Sequence, residues 1–129
     1  RLQSFGEQLA WALMAQIHSP NQAAAIALTN VYAAPPAAGL YEVSINIEVT
    51  TAGTAGTIAP KVASQGDGAA ARTQTGAASP AITGLSATST TFLARCDGST
   101  HLQYGTTFAG VTVGGLQYSL SVSAQRLSD

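Results

Sequence analysis

A chain of 129 residues is long enough for one domain whose core buries about two thirds of its unfolded surface, and leaves no room for a second core. Charged residues make up 9% of it, against roughly 25% in ordinary globular domains, and a net charge of -1 supplies no field with which to attract nucleic acid or anionic lipid. No apolar run approaches the roughly 18 residues of a membrane helix, and a single cysteine, Cys96, excludes an intramolecular disulfide.

Residues Leu2 to Ile17 read as a helix. Leu2, Phe5, Leu9, Leu13 and Ile17 recur at spacings of three and four, Ser4 and Glu7 have the spacing of a capping box, and Pro20 stops the run. Trp11 and Met14 lie off the main stripe, so the helix is apolar on more than one side. Such a surface needs a partner, and Leu2, Phe5, Leu9, Trp11, Leu13, Met14 and Ile17 are expected to form an assembly interface, with residues 1–20 as an anchor and 21–129 as a separate β domain.

Beyond it the pattern changes to period two. Ile26 to Tyr32 reads as a first strand and Leu40 to Thr50 as the clearest one, with Tyr41, Val43, Ile45, Ile47 and Val49 on one face and Glu42, Ser44, Asn46 and Glu48 on the other. Thr57 to Ser64 follows as a strand in which Pro60 predicts an edge position or a bulge. A short strand near Arg72 to Thr75, another over Ile82 to Ala87, and a longer one over Thr88 to Cys96 come next. Asp97-Gly98-Ser99 has the composition of a hairpin turn into His101 to Phe108, and after a loop over Ala109 to Gly115 the last strand runs from Leu116 to Leu127. In that strand Leu116, Tyr118, Leu120, Val122 and Ala124 alternate with Gln117, Ser119, Ser121 and Ser123. The fold class expected is all-β, an antiparallel sandwich or jelly roll of about eight strands with an N-terminal α-helix, its core centred on Tyr41, Val43, Ile45, Ile47, Tyr118, Leu120 and Val122.

Chemistry is sparse in this pattern. There is no phosphate-binding glycine loop, no His/Cys cluster with metal spacing and no Gly-x-Ser-x-Gly turn. Asp97, Ser99 and His101 supply the residue types of a catalytic triad within five positions, yet a polar hairpin turn with a following strand explains them better. Glu42 and Glu48 share an outer strand face but lie about 20 Å apart along it, too far for an acid/base pair. Asp67 and Asp97 occupy glycine-flanked turns, far short of the six to eight oxygens that calcium requires. Cys96 shares parity with Phe92 and Ala94, the pattern of a buried and inert thiol. Tyr32, Tyr41, Tyr104, Tyr118 and Trp11 are candidates by type for stacking on sugars, although Tyr41, Tyr104 and Tyr118 fall on core faces. The expectation is a protein that is not an enzyme and carries no cofactor or metal.

A family resemblance adds to this reading. Residues 26–32, the run Pro36-Ala37-Ala38-Gly39-Leu40-Tyr41-Glu42-Val43-Ser44, residues 49–57, and the closing stretches Thr106 to Val111 and Gln117 to Val122 resemble a module of tailed-phage virion proteins. The resemblance covers about residues 25–127 and leaves the N-terminal segment outside it. It implies a jelly roll akin to tumour-necrosis-factor-like and complement-type heads, forming homotrimers as a decoration, fibre or tail component of a virion beside other virion structural proteins. It brings no catalytic residues. Two other classes share the uncharged Ser/Thr/Ala surface: a subunit of a bacterial extracellular appendage or filament, and a glycan-binding module.

Overall fold

The computed structural model describes residues 14–66, 71–76, 85–112 and 115–128. It is all-β, with eight strands among the described residues: β1 (Met14–Gln22), β2 (Thr29–Asn30), β3 (Gly39–Thr51), β4 (Ala55–Ser64), β5 (Arg72–Thr75), β6 (Ala87–Cys96), β7 (Gln103–Thr112) and β8 (Gln117–Ser128). They form two four-stranded antiparallel sheets, β1-β8-β3-β6 (sheet I) and β2-β7-β4-β5 (sheet II). The first strand pairs with the last, the second with the seventh, the third with the sixth and the fourth with the fifth. The chain is thus one long antiparallel hairpin folded over itself, and only the step from β4 to β5 stays within a sheet.

Alternation in β3 explains why the sheets face each other. Tyr41, Val43, Ile45, Ile47 and Val49 are buried while the intervening side chains remain accessible, and Tyr118, Leu120, Val122 and Ala124 do the same on β8. Ile58, Val62, Leu102 and Tyr104 come from the sheet II side to complete one continuous core. Burying a side chain of this size contributes about 1.5–3 kcal/mol, so the facing rows hold the two layers together. All seven residues expected at the heart of the core are buried.

The N-terminal helix is not what forms over the described part of the segment. Met14 and Ile17, expected in the helix and at its interface, lie in β1, and Leu2, Phe5, Leu9, Trp11 and Leu13 fall outside the described residues. The physical reason is non-local: β8 has β3 on one side, and Met14 to Ser19 supply the ladder on the other, with Ile17 opposite Val122 and His18 opposite Ser121. Ala15 and Ile17 pack against the core while Gln16 and His18 stay exposed, so the stretch obeys period two. Pro20 is accommodated because β1 is an edge, and Asn21, at φ 56°, takes up the register shift between Ser19 and Gln22. The strand crosses position 20, where the anchor was expected to end.

Other expectations change as well. Of Ile26 to Tyr32 only Thr29–Asn30 forms a regular ladder, flanked by single backbone bonds from Thr106 N to Ile26 O (3.0 Å) and from Val31 N to Leu102 O (2.8 Å). Pro60 sits in a central strand, with β7 on one side and β5 on the other. Its carbonyl accepts from Gly76 N at 2.8 Å, just past the end of β5, whose regular ladder starts at Lys61, so the N–H that proline lacks falls at the end of that ladder. Asp97-Gly98-Ser99 is no hairpin turn: it carries the chain from β6 in sheet I to β7 in sheet II. The strand expected over Ile82 to Ala87 lies outside the described residues up to position 84, and β6 begins at Ala87. β7 continues to Thr112, into the stretch expected as loop. There the register shifts between Ala55 and Thr57, where a side chain on Gly56 would meet the backbone of Gly110 at 2.6 Å.

Candidate functional site

The surface with the most organised chemistry is the outer face of sheet I. Register places its side chains in rows that run across all four strands. One row is Gln16, Ser123, Ser44 and Thr91, and the next is His18, Ser121, Asn46 and Ser89. Each residue is there because it alternates with a core residue: Ser44 and Asn46 flank Ile45, and Ser121 and Ser123 flank Val122. The twisted sheet leaves a groove of about 510 Å³ over these rows, lined by Gln16, His18, Ser44, Asn46, Ser121 and Ser123 among others.

Cross-strand hydrogen bonds tie the face together. His18 Nδ1 lies 3.1 Å from Ser121 Oγ, Ser44 Oγ lies 3.3 Å from Thr91 Oγ1, and Ser89 Oγ donates to Asn46 Oδ1 at 3.0 Å. Carboxylates stand only at the margins. Glu42 accepts from Gln125 Nε2 at 3.2 Å one row beyond Ser44, and Glu48 lies one row beyond Asn46. Leu93, opposite Glu42, is 56% exposed, and Leu85, at 75%, borders a second hollow of about 360 Å³ with Glu48, Val49 and Thr50. The arrangement offers hydroxyl, amide and imidazole groups to a neutral partner. It contains no carboxylate pair and no activated nucleophile.

The remaining sequence candidates have structural roles. Asp97 Oδ1 accepts from Ser99 N (2.8 Å) and Thr100 N (2.9 Å), and Oδ2 accepts from Thr100 Oγ1 (3.2 Å). The Ser99 amide, followed by the Thr100 groups, holds its carboxyl below the usual range, and Ser99 engages it through its backbone. Asp97 and Ser99 therefore build a turn. His101 Nδ1 is buried and meets no hydrogen-bond partner among the described residues. Cys96 is 1% exposed, and burial followed by the charge of Asp97 pushes its thiol up to about 11, the opposite of activation. No group of three metal-binding side chains occurs among the described residues.

Tyr41, Tyr104 and Tyr118 all face the core, Tyr41 in edge contact with Tyr32 at 6.0 Å and Tyr118 with Phe108 at 5.9 Å. None stands in the groove. Of the expected assembly residues, Ile17 packs inward opposite Val122, and Met14 is placed in β1 opposite Gln125. The rows themselves needed knowledge of which strands are neighbours. The outer residues of β3 and β8 could be seen in the sequence, whereas Gln16 and His18 could not, since their segment read as a helix. No protein-family model matches this chain, and no curated protein matches it in sequence.

Proposed function

We propose that this protein is a non-enzymatic structural component of a virion, a decoration, fibre or tail component, which works by homo-oligomeric assembly as a trimer. The strand order supports a jelly-roll reading, since wrapping one long hairpin into two four-stranded sheets is how that architecture arises. The single observation that carries the proposal is the outer face of sheet I, four strands wide, whose two central rows hold no carboxylate, lysine or arginine. Interfaces are depleted of charge at their centre. Serine, threonine, asparagine and glutamine each donate and accept, so such a face can meet a symmetry copy of itself without stranding a polar group.

Light scattering tests the proposal. The expected mass is about three times the 13.0 kDa chain, and Ser121→Glu, which places a charge at the centre of the face, should reduce it to that of one chain. A single-chain mass across micromolar concentrations would overturn the reading. Open filaments in electron micrographs would favour the appendage subunit, because a heterologous contact that fails to close grows without limit.

One observation favours a second reading. The groove of about 510 Å³ falls within the size range of small-ligand sites, and the hydroxyl- and amide-bearing side chains along it suit a glycan. Specific signals on a glycan array from a protein that remains a single chain would select that reading.

A further inference from the structure

We propose that β6 is a docking edge for the β6 strand of a second copy of this chain, the two strands pairing antiparallel about a two-fold axis at Ser89. The contact is made by an edge and not by the outer face, so it does not depend on the trimeric reading above. Open sheet edges template further strands, and folds blunt them with short strands, prolines or bulges. Three of the four edge strands among the described residues are blunted in these ways: β2 has two residues, β5 has four, and β1 contains Pro20 and a register shift between Ser19 and Gln22. β6 has none of these protections. It runs for ten residues without proline or glycine, and its register with β3 is unbroken from Cys96 to Ala87.

Two hydrogen bonds fix which backbone groups of β6 face away from the sheet. Val49 N donates to Ser86 O at 2.8 Å, so the even-numbered residues of this strand bond to β3. Leu93 O accepts instead from Gln74 Nε2, a side chain of β5 in the other sheet, at 2.9 Å. The odd-numbered residues therefore turn their N–H and C=O groups to the open side, and the side chains of Ala87, Ser89, Thr91 and Leu93 are exposed. No charged residue stands between Ala87 and Leu93, and the three threonines within that stretch favour strand pairing.

Two leucines select a second copy as the occupant. Leu85 and Leu93, at 75% and 56%, are the most exposed large apolar side chains among the described residues, and they lie four positions to either side of Ser89. A two-fold axis at Ser89 sets Leu85 of each copy opposite Leu93 of the other, Ala87 opposite Thr91, and Ser89 opposite itself. Both leucines then leave water, and the Leu85 N–H of one copy replaces Gln74 at Leu93 O of the other. An axis at Thr90 or Thr91 would satisfy the same backbone groups, but it would put Leu85 opposite Arg95 or Asp97. With the axis at Ser89, the row His18, Ser121, Asn46 and Ser89 meets its own copy and continues across eight strands. One strand from each chain makes a contact smaller than the roughly 1,200 Å² of stable complexes, so the pairing is transient between free chains and firm where copies are held close together.

Crosslinking of the full chain through single introduced cysteines tests the partner and the register together. Cys96 is 1% exposed, so the wild type serves as the blank. In the paired strands residue 89 faces its copy at about 5.5 Å between Cα atoms, whereas residues 87 and 91 each lie about 13 Å from their own copies. With a bis-methanethiosulfonate reagent whose short spacer bridges only the first distance, Ser89→Cys is expected to give a species of twice the 13.0 kDa chain mass on a denaturing gel. Ala87→Cys and Thr91→Cys should each give about fivefold less when alone, and should come within about twofold of the Ser89→Cys yield when mixed. Added to Ser89→Cys, Thr91→Pro removes an N–H that faces the open side and that β3 does not use, and Leu93→Lys sets a charge against Leu85 of the other copy. Each should lower the yield about fivefold or more with the circular dichroism unchanged. Absence of a crosslinked pair from Ser89→Cys, as when residues 77–84 of the same chain occupy the edge, would overturn the proposal. So would equal yields from the three single cysteines, or a yield that neither Thr91→Pro nor Leu93→Lys lowers. Crosslinking at Ser89 in a chain that never reaches the mass of a trimer would support the edge contact and remove the trimeric reading alone.

Discussion

Replacing Tyr118 by Phe tests the polar chain buried between the sheets. Ile26 N donates to Thr106 Oγ1 at 2.8 Å, Thr106 Oγ1 lies 2.9 Å from Tyr118 Oη, and Tyr118 Oη donates to Ala24 O at 2.7 Å. A backbone N–H can only donate and a carbonyl can only accept. The hydroxyl between them must therefore point from Thr106 to Tyr118, and the chain has one possible proton order. Tyr118 is 0% exposed and Thr106 1%. Removing Oη keeps the ring and its contact with Phe108 but strands the Thr106 hydroxyl inside the core, while Ala24, which is exposed, can turn to water. Two lost bonds at about 0.5–1.5 kcal/mol each give an expected cost of about 2–3 kcal/mol once the stranded donor is included. Thr106→Val should cost about 1–3 kcal/mol, because it strands the Ile26 amide. In the double variant no hydroxyl remains to be stranded, so the cost should fall short of the sum by about 1 kcal/mol. Guanidinium denaturation with an unchanged m-value measures all three. Additivity within about 0.3 kcal/mol, or a Tyr118→Phe cost below about 0.5 kcal/mol, would refute the ordered chain.

Other outcomes follow from the same packing. Ile45→Ala should cost about 2–5 kcal/mol through lost burial and a residual cavity, whereas Ser121→Ala on the opposite face should change the unfolding free energy by less than about 0.5 kcal/mol; similar values for the two would place the wrong face inward. Stability should fall on the alkaline side. Burial, with smaller contributions from Tyr41 and Cys96, pushes Tyr32 up to about 12 from an ordinary 10.0. The Cys96 thiol is pushed up to about 11 from 9.0, and burial also raises Tyr41 and Tyr118. A raised value favours the protonated form in the folded state, so this contribution is complete below the unfolded values of 9.0 to 10.0 and is lost as pH climbs through the folded ones. A denaturation midpoint that stays level from about pH 8 to about pH 12 would contradict this. Deleting residues 1–20 removes Met14 to Pro20 from β1 and bares the edge of β8, so the thermal midpoint should drop, and an unchanged midpoint would mean that β1 contributes nothing to the fold.

The strands that could be read from the sequence are those whose evidence is local. Tyr41 to Val49 and Tyr118 to Ala124 alternate without interruption, and a half-buried strand leaves that signature whatever its neighbours are. Met14 to Ile17 shows the limit. Ala15 and Ile17 fit period two, while Leu13 and Ile17 fit a helical stripe, so four residues could not choose between them. What decided was the far end of the chain, the unfilled edge of β8. Asp97 shows the same division at a turn: its bonds to Ser99 and Thr100 are local and readable, but they are identical whether the next strand joins the same sheet or crosses to the other.

The outer face of sheet I was half legible for a related reason. Ser44, Asn46, Ser121 and Ser123 each announced that they point outward, yet an outward serine is compatible with almost any surface. Meaning arises when register sets Gln16, Ser123, Ser44 and Thr91 in one row and His18, Ser121, Asn46 and Ser89 in the next, because an area that wide with no carboxylate or fixed positive charge at its centre departs from an ordinary solvated surface. The carboxylates Glu42 and Glu48 stand one row beyond on either side, which limits the neutral zone to the groove. Neutrality over the groove, with carboxylates at its margins, is the distribution that the proposed assembly requires of an interface centre and its rim.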